Sequence, residues 1–149
     1  MTNKDFVLET LKRSGKLAAQ SVQERAGSMT GTELNAEDMY IPEFVAACAK
    51  MNMLERPVGF VCKSTAGRVV KLLQPYDSSI FTGEPEELPA QWGFVWSNDP
   101  AKAKPFIAMA TSPYMTGNCC IEDDVTYRSL IDNNVHAPSA YPAGWEVVE

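Results

Sequence analysis

The chain has 149 residues and a mass of 16.4 kDa, and 45% of its residues are hydrophobic, so it can bury a core and is too apolar for a disordered segment. A net charge of -6, a pI near 4.8 and the lack of any Lys/Arg run exclude a nucleic-acid backbone or an anionic membrane as the expected partner. No apolar run reaches the length of a membrane span, and "MTNKDFVLETLKRSGKL" has neither the apolar centre nor the cleavage site of a signal peptide, so a product made in the cytoplasm without membrane insertion is expected.

Thr2 and Asp5 predict the capped start of a helix. Phe6, Val7, Leu11, Leu17, Ala18 and Val22 supply an interrupted apolar stripe, weakened at Ser14-Gly15, that ends near "ERAGS". A face this narrow needs a neighbouring surface or another chain, so a homo-oligomer is expected. Thr32 is a candidate second N-cap, and "IPEFVAACAKMNM" reads as a short helix with Pro42 in its first turn.

From Pro57 the pattern changes. "GFVC" and "RVVKLLQ" are short β-branched segments around "KSTAG", the signature of a hairpin, followed by a Pro-containing loop and a Trp strand. The same order returns later: "NCCIE" and "VTYRSLI" flank Asp123-Asp124, and "PSAYPAGWEVV" repeats "PEELPAQWGFV" without a gap. Pro85 falls on Pro138, Leu88 on Tyr141, Pro89 on Pro142, Ala90 on Ala143, Trp92 on Trp145 and Val95 on Val148. Upstream, Gly59 lies near Gly117, Cys62 on Cys120, Lys71 on Arg128 and Leu73 on Leu130, with extra residues around Ser78–Gly83 in the first copy. The expected fold is α+β: a helical N-terminal segment (1–56) for attachment or oligomerisation, a first small antiparallel β-unit (57–97), a linker (98–112) with Asn98 or Asp99 as turn residue ahead of Pro100, and a second β-unit (113–149). Trp92, Trp145, Tyr127, Cys62 and Cys120 are expected as the structural core of the repeat, since units this small need large plugs.

Chemistry-bearing residues are sparse. Cys119 and Cys120 are neighbours whose side chains diverge in a strand, there is no C-x-x-C spacing, and His136 is the sole histidine, so no metal and no cofactor are expected. "GEPEEL" reads as a solvated acidic loop. No Walker loop, dinucleotide glycine fingerprint, G-x-S-x-G or H-E-x-x-H occurs, which makes a non-enzyme with no catalytic residues the expectation.

The second copy, with Tyr114, Gly117, Tyr127, Pro138 and Trp145, resembles the small chitin- and cellulose-type carbohydrate-binding modules that end many bacterial chitinases. It departs from them where adjacent aromatics would form the sugar platform, having Ser129-Leu130-Ile131 there and Leu72-Leu73-Gln74 in the first copy. Tyr76, Trp96 and Tyr141 are the candidate exposed replacements. Over its whole length, through "MTGTELNAEDMYIP", "KLLQPYDSS" and "DPAKAKPFI", the chain also looks like small proteins encoded near tail and fibre genes in prophages of Gram-positive bacteria. These resemblances imply a structural or accessory virion protein of the tail, baseplate or fibre, with other phage structural proteins as partners. The alternative is a module binding a chitin-like or cell-wall glycan.

Overall fold

The computed structural model describes residues 2–149. Helix α1 (Asn3–Arg25) opens on a capping box in which Thr2 and Asp5 satisfy each other's backbone N–H groups. Its first two-thirds stand free in solvent, and only the last turns dock, with Val22 buried. The anchor there is polar as well as apolar. The Gln23 side-chain amide donates to the Val61 carbonyl (2.7 Å) and accepts from the Val61 N–H (2.9 Å), pairing with the edge of a strand as another strand would.

Helix α2 (Gly31–Ala36) starts two residues earlier than expected: Thr30, not Thr32, is the N-cap, because Thr30 has Glu33 three residues on to complete a capping box. The Thr32 hydroxyl instead accepts from the Asn98 N–H. A Cβ added to Gly31 would land on the Trp96 carbonyl oxygen, which is backbone and cannot step aside. Gly31→Ala is therefore expected to lower stability by about 3 kcal/mol, the upper end of overpacking costs, read as a fall in the urea midpoint at unchanged slope. A variant that unfolds like the parent would show that this approach is looser than described.

Helix α3 (Phe44–Lys50) begins after Pro42 rather than around it, since the Pro42 carbonyl is already used by the Lys63 N–H (2.9 Å). Two sheets follow. The first has the order β1-β2-β3, antiparallel, from Val61–Lys63, Val69–Leu72 and Trp92–Phe94. The second has the order β4-β5-β6-β7, from Lys104–Pro105, Cys119–Glu122, Val125–Ser129 and Trp145–Val147, antiparallel except for the parallel β4–β5 pair. The architecture is α+β with an N-terminal helix and two small sheets. The segment expected as a linker, 98–112, does more than connect: Asp99 caps a 3-10 turn at Pro100–Lys102, and β4 then joins the second sheet.

Both hairpins turn where their local chemistry asks. Gly67 adopts φ +85° in the first, and Asp123 and Asp124 both take positive φ (50° and 63°) in the second, the conformation of a two-residue primed turn.

The sequence register of the two copies coincides with their hydrogen bonding. The Gly59 and Gly117 N–H groups donate to the Leu72 and Ser129 carbonyls, Cys62 pairs with Val70 as Cys120 does with Tyr127, and Val61 pairs with Lys71 as Cys119 does with Arg128. Leu73 and Leu130 donate to Gln91 and Gly144, and Leu72–Trp92 matches Ser129–Trp145. The equivalence also extends further upstream than the repeat is visible in the residues. Glu43 bridges Lys63 in parallel as Pro105 pairs with Ile121, so Phe44 and Phe106 each follow the parallel contact and each meets its copy's tryptophan edge-on at 89°, at 5.7 and 6.0 Å.

The alternation of the first sheet divides the core. Cys62, Val70 and Leu72 face a large interior shared by both units, which includes Phe44, Met53, Trp92, Trp96, Tyr114, Cys120 and Trp145. Val61 and Val69 face the other way, into a smaller cluster with Val22, Ala26, Leu34 and Ile41 under α1 and α2. Lys71, on that second face, reaches the Ala26 carbonyl (3.1 Å), while its counterpart Arg128 reaches the Asn98 carbonyl (3.2 Å).

Candidate functional site

The aromatic residues are where the two readings of the chain diverge, since a sugar platform requires exposed, coplanar rings and a structural repeat buries them. Trp92 is fully buried, its indole N–H donating to the Tyr76 hydroxyl (3.0 Å). Trp145 is buried with its N–H on the His136 carbonyl (2.8 Å). Tyr76 is therefore the partner of a core tryptophan rather than a surface ring, and burial pushes its hydroxyl up to about 12.

Trp96 is also interior. It stacks on Phe94 at 5.7 Å and on Tyr114 at 4.3 Å, and Tyr114 stacks on Phe106 at 5.4 Å. The indole N–H of Trp96 donates to the Ser112 carbonyl. This run of four rings crosses from the first unit into the second, so Trp96 joins the units and presents no face to a ligand. Of the three candidate sugar contacts only Tyr141 is exposed (43%), 5.8 Å from the His136 ring and tilted 55° to it. The structure does not bring Tyr76, Trp96 and Tyr141 onto one surface: two are core and one is outside.

The four cysteines are free thiols, with Cys62, Cys119 and Cys120 buried and Cys48 half-buried. Burial raises the pKa of every one, that of Cys120 to about 12, so they are protonated near neutrality and lack the thiolate a nucleophile needs. Among the described residues no group of three or more His, Cys, Asp or Glu is placed to hold a metal.

The acidic stretch "GEPEEL" is structural rather than merely solvated. Glu84 accepts from the Thr65 N–H, and Glu86 forms an ion pair with Arg68 at 3.1 Å, both side chains largely buried. Arg68 also donates from Nε and Nη2 to the Pro105 carbonyl (3.2 and 2.8 Å), binding the first unit to β4 of the second. In the sequence Arg68 reads as a hairpin flank, and nothing there marks it as the tie between units.

Exposed apolar side chains are scattered over both β-units, among them Ile80, Phe81 and Leu130, and one element, α1, carries a run of them. Phe6, Val7, Leu8, Leu11 and Leu17 are all exposed on α1. Where α1 meets the body, an open groove of about 770 Å³ runs between it and α3, walled by Ala19, Met39, Ile41 and Phe60. Its charged lining residues, Lys16, Lys50 and Arg56, are all cationic. Lys16 and Lys50 have no ion-pair partner among the described residues, and Arg56 lies 4.4 Å over the Phe60 ring with Nη2 on the Ala47 carbonyl. No helix among the described residues is long and apolar enough to cross a membrane. Comparison with protein-family models, curated proteins and solved structures gives no match to this chain.

Proposed function

We propose that this chain is a non-catalytic structural or accessory component of a phage or prophage particle, associated with tail, baseplate or fibre, in which the two β-units form one rigid body and α1 joins that body to its neighbours. The observation that carries this reading is the inversion of where apolar surface is found. Two of the three rings a sugar binder would display, Tyr76 and Trp96, are packed inside, while α1 carries five exposed apolar side chains, Phe6, Val7, Leu8, Leu11 and Leu17, on one element, a surface suited to protein rather than to a pyranose ring. The resemblance to prophage tail-region proteins supplies the particle. A test is mass spectrometry of purified particles after prophage induction in the strain that encodes the chain. Its peptides are expected in the particle fraction at a fixed ratio to tail proteins, and their absence from particles that retain full tails would overturn the reading.

A glycan-binding role has one observation in its favour, the exposed Tyr141 beside His136. A single ring pair tilted by 55° is a weak platform, so the intact chain is expected to show no retention on insoluble chitin or Gram-positive cell wall. Retention that is lost in Tyr141→Ala would establish the adhesin role instead.

A further inference from the structure

We infer that the groove between α1 and α3 seats an acidic amphipathic helix of a partner protein, its carboxylates on Lys16, Lys50 and Arg56 and its apolar face against Ala19, Ile41 and Phe60. The inference rests on the assembly reading above and names the chemistry of the partner. Every charged side chain lining the groove is cationic, although the chain as a whole carries a net charge of -6. Lys16 and Lys50 have no ion-pair partner among the described residues. The Arg56 guanidinium is held 4.4 Å over the Phe60 ring with Nη2 on the Ala47 carbonyl, and its buried Nε has no hydrogen-bond partner. The Gln23 amide is engaged at both ends by Val61 and cannot answer these cations. Three like charges gathered on an apolar groove without a counter-charge complement a carboxylate-bearing ligand.

Shape selects a helix among anionic ligands. The groove is an open trough rather than an enclosed cavity, so an alkyl chain laid in it would leave one side in water, whereas an amphipathic helix turns a polar face outward. Helix α1 also prolongs the site. Gly15, Lys16, Ala19, Gln20 and Gln23 are its contribution to the groove, spaced as one helix face. Lys12 and Leu8, both exposed, continue that face outward for about 10 Å, and Lys12 has no ion-pair partner among the described residues. Beyond them the face turns acidic at Asp5, which sets its limit. A partner helix of about four turns matches the stretch from Leu8 to Gln23.

Charge argues against a second copy of this chain as the occupant. Its long helix, α1, carries five basic and three acidic residues and is cationic like the groove itself. Helix α3 has no acidic residue, and in α2 the Glu33 carboxylate already caps the Thr30 N–H. The occupant therefore comes from another protein. Lys16 stands on α1 and Lys50 on α3, the two walls of the groove, so its Asp or Glu residues flank the apolar stripe on both sides.

Fluorescence anisotropy on the full chain tests this with a labelled helical peptide of about fifteen residues, leucines three and four apart on one face and glutamates on both flanks. It should bind about tenfold more tightly than a version with lysine for glutamate, and than an isomer whose leucines are spread around the helix. Lys16→Glu with Lys50→Glu should weaken the acidic peptide about tenfold and make the lysine version the better ligand. Ala46, exposed on the groove wall, separates charge from bulk: Ala46→Glu should weaken binding and Ala46→Gln should not. All these variants should keep the parent's near-ultraviolet circular dichroism, because none touches the tryptophan core. No binding of the acidic peptide, or equal binding of the lysine version or the isomer, overturns the proposal. So does dodecanoate that displaces the peptide at a lower concentration than the peptide's own, which would make the occupant an alkyl anion. A parent that sediments at twice 16.4 kDa and takes up the peptide only as the monomer would make it a second copy, and also overturns the proposal. None of these outcomes bears on the particle test, and absence from particles would overturn the assembly reading while leaving peptide binding intact.

Discussion

Replacing Arg68 by alanine is expected to remove about 3–5 kcal/mol of stability, a large share of what a domain of this size holds. Arg68 is 8% exposed and makes three hydrogen bonds to two acceptors: Glu86 through Nη1 and the Pro105 carbonyl through Nε and Nη2. Taking it away leaves the Glu86 carboxylate buried without its cation, and Glu86 Oε1 already has no hydrogen-bond partner. It also removes the donors to Pro105, the residue that pairs β4 with Ile121 of β5. The penalty is mainly that of an uncompensated buried charge, so it separates from the worth of the pair. Arg68→Met combined with Glu86→Leu is expected to recover at least half of the loss, because both charges then leave together. Urea unfolding at neutral pH checks both variants. A single alanine variant within 1 kcal/mol of the parent, or a double variant as unstable as the single, would show that Arg68 is not the tie between the units.

What could be read from the residues was whatever local chemistry decides. The Thr2–Asp5 cap, the turn at Asp123-Asp124 and the placement of Trp92 on Trp145 each depend on a few adjacent residues, and each has its counterpart in the fold. The cap of α2 was displaced by two residues because Thr30 and Thr32 both precede helical sequence, and only the reach to Glu33 distinguishes them. Nothing in the residues marks Phe44 and Phe106 as equivalents, since parallel contacts of one or two residues leave no alternation to detect and the intervening lengths differ between copies. Aromatic type carried no information about facing: Tyr76 and Trp96 lie outside the repeat's matched positions, and both turn inward because the tryptophan N–H of one unit and the rings of the other need them. The apolar stripe Phe6, Val7, Leu11, Leu17, Ala18 and Val22 reads as one face, yet only Val22 is buried, because the body reaches no further along α1 than its last turns.

Trp92→Ala is expected to cost about 3–5 kcal/mol, and Trp145→Ala slightly less, yet each should shift one common unfolding transition rather than melt its own unit. Both tryptophans meet an edge-on phenylalanine, but Trp92 is completely enclosed and its removal also strips the buried Tyr76 hydroxyl of its donor, whereas Trp145 keeps slight exposure and leaves behind a carbonyl at the exposed His136. The common transition follows from the core: Phe94, Trp96, Tyr114 and Phe106 stack in sequence across the boundary, and Cys62, Leu72, Cys120 and Trp145 belong to one buried cluster. Neither three strands nor four would hold alone at this size, so damage to either sheet withdraws the surface on which the other is folded. Calorimetry with simultaneous tryptophan fluorescence reads this directly. A single endotherm that moves as a whole in both variants agrees with a shared core, while two separated transitions in Trp145→Ala, the earlier one sparing the Trp92 signal, would show that the repeats are independent modules joined only by the chain.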